Sequence, residues 1–490
     1  MDIADLLLFQ DKHPQLNKFN SWFAANKYQR IWLKGMAGSY NAVFFSAAFH
    51  EINKNILFVL DNQEDAAYFY NDLVQITGGL DVFFFPSSYK RGVKYGEKDS
   101  GNEVMRTETL NALNVSADCA MVVTYPEALF ERVVSVASLQ TKTLSVGVKQ
   151  RITMSAVKME LLKFGFEQVD FVFQPGQFSV RGSILDVFSY SSDYPFRIDF
   201  FGDEVDSIRM FEVDTQLSKE RKEKISIVSD VNSGAVESIP FLQFIPQDTL
   251  LAFSDYNFSC DSISKLCDEN PAFEKAFSYD EFVGLTANFK IAEFGLHNAF
   301  TDSAVLEFHI SPQPVFNKNF ELIADNFCQM SDLKFKIYVM ASNPHQTDRL
   351  KAIFDDMQRP VSFVPVQKTL HQGFVDNDLR LCCYTDHQIF DRFHKYSLSS
   401  ERARAGKAAM TLKMLKTLQV GDYVAHIDFG IGRFGGLMTM DINGKKQEVI
   451  KLIYKDDDLV FISIHALHKI SKYRGKEGEE PRINKLGTGA

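Results

Sequence analysis

The sequence lacks long apolar segments and an excess of basic residues. No apolar run approaches the roughly 18 residues that a membrane-spanning helix needs. The N-terminal stretch carries Asp2 and Asp5 and no basic cluster, which is unlike a secretory signal. Acidic residues outnumber basic ones, 63 to 53, so the net charge is −10 and a surface devoted to nucleic-acid phosphates is not expected. We therefore expect a cytoplasmic protein without a membrane partner.

Cysteine is sparse and scattered. The 6 cysteines lie at positions 119, 260, 267, 328, 382 and 383, without a CxxC and without the spacing of a zinc site. Reduced, mostly buried thiols are expected, and no metal site. No Ser/His/Asp or Cys/His arrangement indicates a catalytic centre. A length of 490 residues suggests about three domains, or four or five small ones.

Hydrophobic periodicity changes along the first half of the chain. Up to residue 143, short apolar strands alternate with helices, one of them capped by Asp61, which predicts a parallel sheet covered by helices on both faces. The next segment shows a helix and then short strands, including Phe171–Phe173, and predicts a small α+β unit with an antiparallel sheet. A charged stretch at 218–224 is interpreted as a solvated turn or helix face.

The second half returns to an α/β pattern and ends in strands. Thr249–Phe253 and Val305–His309 resemble strands, and a long basic helix at 401–418 is interpreted as a connector. Beyond it, about five short strands with an Asn443-Gly444 turn predict a small SH3-like β-barrel.

Two glycine motifs could be mistaken for nucleotide sites. The loop Gly35–Tyr40 lies between a strand and a helix, where a phosphate-binding loop would lie, but it has Ser39 and Tyr40 where Lys and then Ser or Thr are needed. We interpret Gly35, Gly38 and Ser39 as a degenerate loop that binds neither ATP nor Mg²⁺. The run Gly430–Gly435 fits GxGxxG but is followed by strand residues, so its glycines are expected to serve bends and bulges.

Arginines mark the predicted antiparallel sheet. Arg181, Arg197 and Arg209 lie in its strands, with acidic residues close by. They are either surface charge or, together with the aromatic Phe201, the anchors of a protein-docking face. Composition alone leaves both interpretations open.

Two longer motifs resemble a known family. The run Gly421–Gly436 (GDYVAHIDFGIGRFGG) resembles the start of the RNA-polymerase-interacting domain of the bacterial transcription-repair coupling factors (Mfd), which the CarD-like regulators share. Val180–Phe188 and Arg197–Arg209 resemble the part that this family shares with the excision-repair protein UvrB. Both motifs occur in the family's order, and the resemblance covers nearly the whole chain, as an N-terminal fragment would.

The resemblance implies a multidomain α/β plus α+β architecture: a degenerate P-loop, RecA-like UvrB-homology module with an inserted mixed domain, a small third α/β domain and a C-terminal SH3-like barrel. The implied segments are 1–143 (domain 1a), 144–232 (UvrA-binding-like domain 2), 233–320 (return segment 1b), 321–400 (third domain), 401–418 (connecting helix), 419–475 (RNA polymerase-interacting barrel) and 476–490 (linker tail).

The resemblance also implies two sets of binding residues. Arg181, Arg197 and Phe201 would contact UvrA, although Ser179 stands where UvrB has a further arginine. The second set, Leu437, Thr439 and Met440, would add an edge strand to the RNA polymerase β subunit.

The implied function is that of a monomeric adaptor. It would hold stalled RNA polymerase and recruit UvrA for transcription-coupled nucleotide excision repair. ATP, Mg²⁺ and DNA would be handled by the family's motor domains, which make the full-length parent an ATP-dependent DNA translocase. The alternatives are a UvrB-like DNA-handling ATPase and a CarD-like RNA polymerase regulator.

Overall fold

The protein divides into two compact units, each described by itself. A computed structural model describes residues 13–79, 81–89, 99–115, 119–213, 216–230, 237–270, 278–393, 418–426, 429–442, 445–455, 458–463 and 470–472. The first unit comprises residues 1–140 and 232–398, and the second comprises 141–231 and 399–490. The predicted connecting helix at 401–418 and the tail at 476–490 lie almost entirely outside the described residues.

The strands are, in chain order, β1 (Arg30–Lys34), β2 (Ile56–Val59), β3 (Val82–Phe84), β4 (Met121–Thr124), β5 (Val133–Val134), β6 (Thr143–Gly147), β7 (Glu167–Gln168), β8 (Gln177–Arg181), β9 (Ile184–Val187), β10 (Phe196–Phe201), β11 (Glu204–Phe211), β12 (Ser218–Lys222), β13 (Lys224–Val228), β14 (Ser238–Ile239), β15 (Leu250–Phe253), β16 (Lys290–Glu293), β17 (Ala304–Glu307), β18 (Ile310–Pro312), β19 (Lys336–Met340), β20 (Val364–Val366), β21 (Phe374–Asp376), β22 (Leu381–Thr385), β23 (Tyr423–His426), β24 (Gly430–Ile442), β25 (Lys445–Ile453), β26 (Leu459–Ser463) and β27 (Ile470–Lys472).

The helices are, in chain order, α1 (Pro14–Ala24), α2 (Tyr40–Ile52), α3 (Gln63–Thr77), α4 (Ser100–Val115), α5 (Pro126–Leu129), α6 (Val136–Thr141), α7 (Met154–Lys163), α8 (Phe241–Phe244), α9 (Tyr256–Glu269), α10 (Tyr279–Thr286), α11 (Phe320–Asp332), α12 (Pro344–Asp356) and α13 (Asp386–Ile389).

The first unit is built on a parallel sheet, as predicted. Its order is β17-β1-β16-β15-β2-β4-β3, and every adjacent pair is parallel. All residues of β2, β4 and β15 are buried, which is typical of central parallel strands covered on both faces. The strands predicted near 250 and 305 are confirmed as β15 and β17 of this sheet.

A second sheet of the first unit has the order β18-β21-β22-β19-β20 and mixes parallel with antiparallel pairs. Its core includes Phe327, Leu350 and Tyr384, contributed by α11, α12 and β22. The α/β pattern predicted after residue 321 is therefore confirmed, and we call residues 310–390 the third module.

The second unit contains an antiparallel sheet of order β12-β11-β10-β9-β8-β7, in which only the β7–β8 pair is parallel. Helix α7 packs Val157 and Leu161 against strand residues such as Ile198. Two details of the prediction are wrong. Phe171–Phe173 is not a strand, and the charged stretch forms the exposed edge strand β12, not a turn or helix.

The C-terminal strands of the second unit form an antiparallel sheet of order β26-β25-β24-β23-β27. Ile442 pairs with Lys445. The predicted Asn443-Gly444 turn lies outside the described residues. Among the described strands no pair joins β26 to β27, so the SH3-like closure stays a prediction.

Helix α3 shows how a distant contact changed a local expectation. Its N-cap is Asn62, which accepts hydrogen bonds from the backbone N–H groups of Glu64 and Asp65. The predicted cap, Asp61, instead accepts a hydrogen bond from Ser254 Oγ at 2.5 Å. Asp61 as the cap is therefore wrong, because the neighbouring strand β15 ends beside it.

The cysteines form no disulfide, and Cys260, Cys382 and Cys383 are buried. Burial raises the pKa of Cys382 to about 11, so that thiol remains protonated. Within the described ranges, no helix is both long and apolar enough to cross a membrane.

Candidate functional site

The glycine loop of the first unit follows β1 and precedes α2, but its surroundings are closed. Gly35 has a φ of +87°, and a Cβ there would lie 2.2 Å from the carbonyl oxygen of Phe308. Gly38 has a φ of +58°, and a Cβ there would lie 2.8 Å from the carbonyl oxygen of Gly373. The glycines are therefore required where the backbone of another segment approaches.

Ser39, at the predicted lysine position, is buried and fully engaged. Its backbone N–H donates to the carbonyl oxygen of Gln372 at 3.2 Å, and its Oγ accepts from the Gln372 N–H at 2.9 Å. Ser39 Oγ also donates to Asp72 Oδ2 at 2.5 Å. The other oxygen of Asp72 accepts from the His371 N–H at 2.7 Å. Burial raises the pKa of Asp72 to about 7.

A cleft of about 270 Å³ lies beside this loop, at the carboxyl ends of β2, β15 and β16. Its lining includes Asp61, Asp65 and Ser254, and no lysine or arginine among the described residues. Burial raises the pKa of Asp61, which shows that negative charge is already costly there. A cleft of this charge disfavours a phosphate group.

The outer face of the six-stranded sheet carries a row of polar side chains. Cross-strand partners share a face, and the registers place one residue from each of five adjacent strands in line. This row, which we call the arginine row, runs Ser179, Asp186, Arg197, Arg209, Arg221 across β8 to β12. Two of the three arginines predicted from the pattern, Arg197 and Arg209, thus lie together, and Arg221 extends them to the sheet edge.

Asp186 organises two of the predicted residues. It is 1% exposed, and its two oxygens accept hydrogen bonds from Arg197 Nε and Nη2, both at 2.8 Å. Arg181 also donates to Asp186. The Arg181 guanidinium lies 4.7 Å from the ring centroid of Phe171, and that of Arg197 lies 4.3 Å from the ring centroid of Phe211.

The predicted residues therefore differ in accessibility. Phe201, at the end of β10, is 83% exposed, and Arg181 is partly exposed. Arg197 is mostly covered, and its hydrogen bond to Asp186 raises its pKa. Ser179, the residue that stands where UvrB has a further arginine, is buried opposite Asp186. Its Oγ has no hydrogen-bond partner among the described residues.

Sequence reasoning missed Asp186 as the organiser of this face. Its position alternates with buried Leu185 and Val187 in β9, which marks it as an outward residue between two arginine strands. It also missed Arg221, because the charged stretch was not interpreted as a strand.

Strand β24 presents an open edge. It pairs with β23 only over residues 430–433, and after a bulge at Gly435 and Gly436 it pairs with β25 alone. Gly436 has a φ of +98°, which suits this bulge. Among the described strands, none covers the other edge of Leu437–Ile442. The three predicted polymerase-binding residues lie on this edge segment.

Side chains of the edge segment alternate between two faces. Leu437 and Thr439 share one face, whereas Met440 shares the other with Met438. Leu437, Met438 and Thr439 are exposed and Met440 is half-buried. Sequence reasoning missed Met438, which presents a second thioether beside Met440.

One cluster has the composition of a metal site. Donor atoms of His13, Asp376 and Asp378 all lie within 4.8 Å of one another, and His13 Nε2 and Asp376 Oδ2 are buried without a hydrogen-bond partner. However, His13 Nδ1 accepts the Gln15 N–H at 3.1 Å. A neutral imidazole then carries its proton on Nε2 and offers no lone pair there. This donor set does not fit a metal while that helix cap is formed.

Comparison with known proteins matches both surfaces to known domains. The model of the UvrB interaction domain matches residues 144–231, which contain the arginine row. The model of the CarD-like/TRCF RID domain matches residues 418–474, which contain the open edge of β24.

Relatives that match nearly the whole chain are transcription-repair-coupling factors. The transcription-repair-coupling factor of Bacillus subtilis (strain 168) is 24% identical and covers 93% of this chain. The factors of Staphylococcus aureus strains bovine RF122 / ET3-1 and USA300 are each 21% identical and cover 99%. The resemblance to transcription-repair-coupling factors is confirmed. The chain spans about half the length of these relatives, 46% of the first and 48% of the other two.

Proposed function

We propose that this chain is a two-surface adaptor in transcription-coupled nucleotide excision repair. One surface, the outer face of the six-stranded sheet with Arg181, Arg197 and Phe201, binds UvrA. The other, the open edge of β24, binds the β subunit of a stalled RNA polymerase. The observation that carries the proposal is that the region matched by the UvrB interaction domain contains the exposed Phe201, and the region matched by the CarD-like/TRCF RID domain contains the edge of β24 that no described strand covers.

The UvrA surface combines an exposed aromatic side chain with an arginine whose position is fixed by its neighbours. Phe201 exposes nearly its whole ring, so a partner can reach it as an apolar anchor. Arg181 lies two strands away on the same face of the sheet, held between Phe171 and Asp186. Fixing an arginine before binding lowers the entropy lost on association. An exposed aromatic side chain and a pre-positioned arginine on one face are typical of an interaction hot spot.

The polymerase surface is suited to strand addition. Residues 437–442 leave one row of backbone N–H and C=O groups unpaired within the described sheet. A strand of the β subunit can pair with this row, while Met438 and Met440 supply flexible apolar contacts on one face.

We attribute ATP hydrolysis and DNA translocation to the motor domains of the family and not to residues 1–490. The glycine loop supports this, since Ser39 and Asp72 are committed to residues 371 and 372. The UvrB-like ATPase alternative needs an open phosphate loop. The CarD-like regulator alternative leaves the UvrB interaction domain without a role.

Co-purification tests the proposal directly. The tagged chain is mixed with UvrA and, separately, with a fragment of the RNA polymerase β subunit. We expect the chain to retain each partner alone and both together. Failure to retain either purified partner would remove the corresponding surface from the proposal.

A further inference from the structure

The segment His371–Gly373 enters the glycine loop from the third module. Ser39 and Gln372 exchange two hydrogen bonds, one in each direction, at 3.2 and 2.9 Å. We propose that this segment is the resident ligand of the former nucleotide site, and that the contact fixes the third module onto the parallel sheet. The inference does not depend on the proposed adaptor function.

The segment takes the place that phosphates occupy in a working loop. In such a loop, backbone N–H groups at the start of the helix donate to phosphate oxygens. Here the Ser39 N–H donates to a peptide carbonyl instead. A neutral peptide group has thus replaced an anion. The carboxyl group of Asp72 accepts from both Ser39 and His371.

Helix α3 provides a face for the same segment. Tyr68, Asp72 and Gln75 are spaced i, i+4 and i+7, so they lie on one side of the helix. The Tyr68 ring stacks on the His371 ring with centroids 3.6 Å apart, and the Gln75 carbonyl oxygen accepts from Lys368 Nζ at 2.8 Å. Three consecutive turns of α3 therefore hold residues 368–371.

The third module holds the segment from behind. His387 Nε2 donates to the carbonyl oxygen of His371 at 2.8 Å, and Gln388 Oε1 accepts from the Gly373 N–H at 2.6 Å. A Cβ on Gly373 would lie 2.0 Å from Gln313 Oε1 and 2.7 Å from the Cys383 carbonyl oxygen. Residues 371–373 are thus fixed on both sides. Gly38 allows the glycine loop to approach the Gly373 carbonyl, whereas Gly373 itself fits closely against Gln313 and Cys383 of the third module.

Amide hydrogen exchange tests this inference on the intact chain. We expect slow exchange in the peptides covering 36–42 and 368–376, and no change of either on adding millimolar MgATP. Ser39→Ala removes the acceptor of the Gln372 N–H and the donor to Asp72. It should accelerate exchange at 368–376 about tenfold or more, because local opening then costs less. Ser46→Ala is the control, since this buried serine of α2 bonds only to its own helix, at Ala42.

Exchange at 368–376 within seconds in the unmodified chain would overturn the proposal. So would equal protection in Ser39→Ala and the unmodified chain, or new protection of 36–42 by MgATP. Two of these outcomes, fast exchange at 368–376 and protection of 36–42 by MgATP, are measured on the unmodified chain. The test therefore does not depend on the folding of any variant.

Discussion

Arg197 binds Asp186 through two parallel hydrogen bonds, Nε to Oδ1 and Nη2 to Oδ2, each 2.8 Å long. Asp186 is buried and also accepts from Arg181. The carboxylate therefore sets the direction of two arginines on the face that we assign to UvrA. Arg197 is mostly buried against Asp186, whereas Phe201, Arg221 and part of Arg181 are exposed on this face.

Asp186→Asn should release the two arginines. Because bidentate pairing needs a carboxylate, we expect UvrA affinity to fall about tenfold and the free energy of unfolding to fall by about 1–3 kcal/mol. Titration calorimetry and urea unfolding measure these changes. Asp203→Asn, an exposed acid in the turn after β10, is the control and should change neither. If both variants bind UvrA equally, Asp186 does not position this face.

Phe200 and Phe201 are neighbours with opposite environments, and they separate binding from stability. Phe200 is buried in the sheet core, so Phe200→Ala should cost about 3–5 kcal/mol of stability. Phe201→Ala should change stability by less than about 0.5 kcal/mol and yet reduce UvrA binding by about tenfold or more. Met159→Ala, an exposed apolar residue of α7, is the binding control. Undiminished UvrA binding by the Phe201 variant would contradict the assignment.

Asp72 makes the first unit sensitive to pH. Burial raises its pKa from 3.8 to about 7, so the folded state binds this proton more tightly than the unfolded state. The free energy of unfolding must then fall as pH rises from about 4 to about 7, by no more than about 4 kcal/mol from this group. Asp72→Asn should remove that part of the pH dependence. Urea unfolding of both chains from pH 4.5 to 8 measures it, and parallel pH profiles would show that Asp72 is not the group responsible.

Met440→Arg should block strand addition at β24. A guanidinium beside the pairing edge must lose hydration when the β subunit approaches, so binding should fall about a hundredfold. Leu459→Arg, on β26 beyond the other side of β25, is the matched control. Surface plasmon resonance with the polymerase β fragment compares them. Equal affinities of the two variants would place the polymerase contact elsewhere.

Local patterns predicted most strands and helices but not the contacts that decide function. The apolar runs at Ile56–Val59 and Leu250–Phe253 are short and fully buried, so their length and apolar composition, not an alternating pattern, marked them as strands. The strand Ser218–Lys222 was missed because a charged edge strand has no apolar signal, and its charge is what protects a sheet edge.

Other features depend on residues far apart in sequence. Ser254 binds Asp61 across 193 residues and leaves the cap of α3 to Asn62. Gln372 reaches Ser39 across 333 residues, so the glycine motif alone could not show which segment contacts this loop. The family resemblance placed Arg197 among the predicted UvrA contacts. Only the geometry shows that Arg197 is mostly buried and hydrogen-bonded to Asp186.

The central claim is that two independent surfaces serve two partners. The most direct test is a crossed binding measurement, in which Phe201→Ala and Met440→Arg are each assayed against UvrA and against the polymerase β fragment. The account predicts that Phe201→Ala loses only UvrA and that Met440→Arg loses only the β fragment. Loss of both partners by either variant, or of neither partner by both, would contradict it.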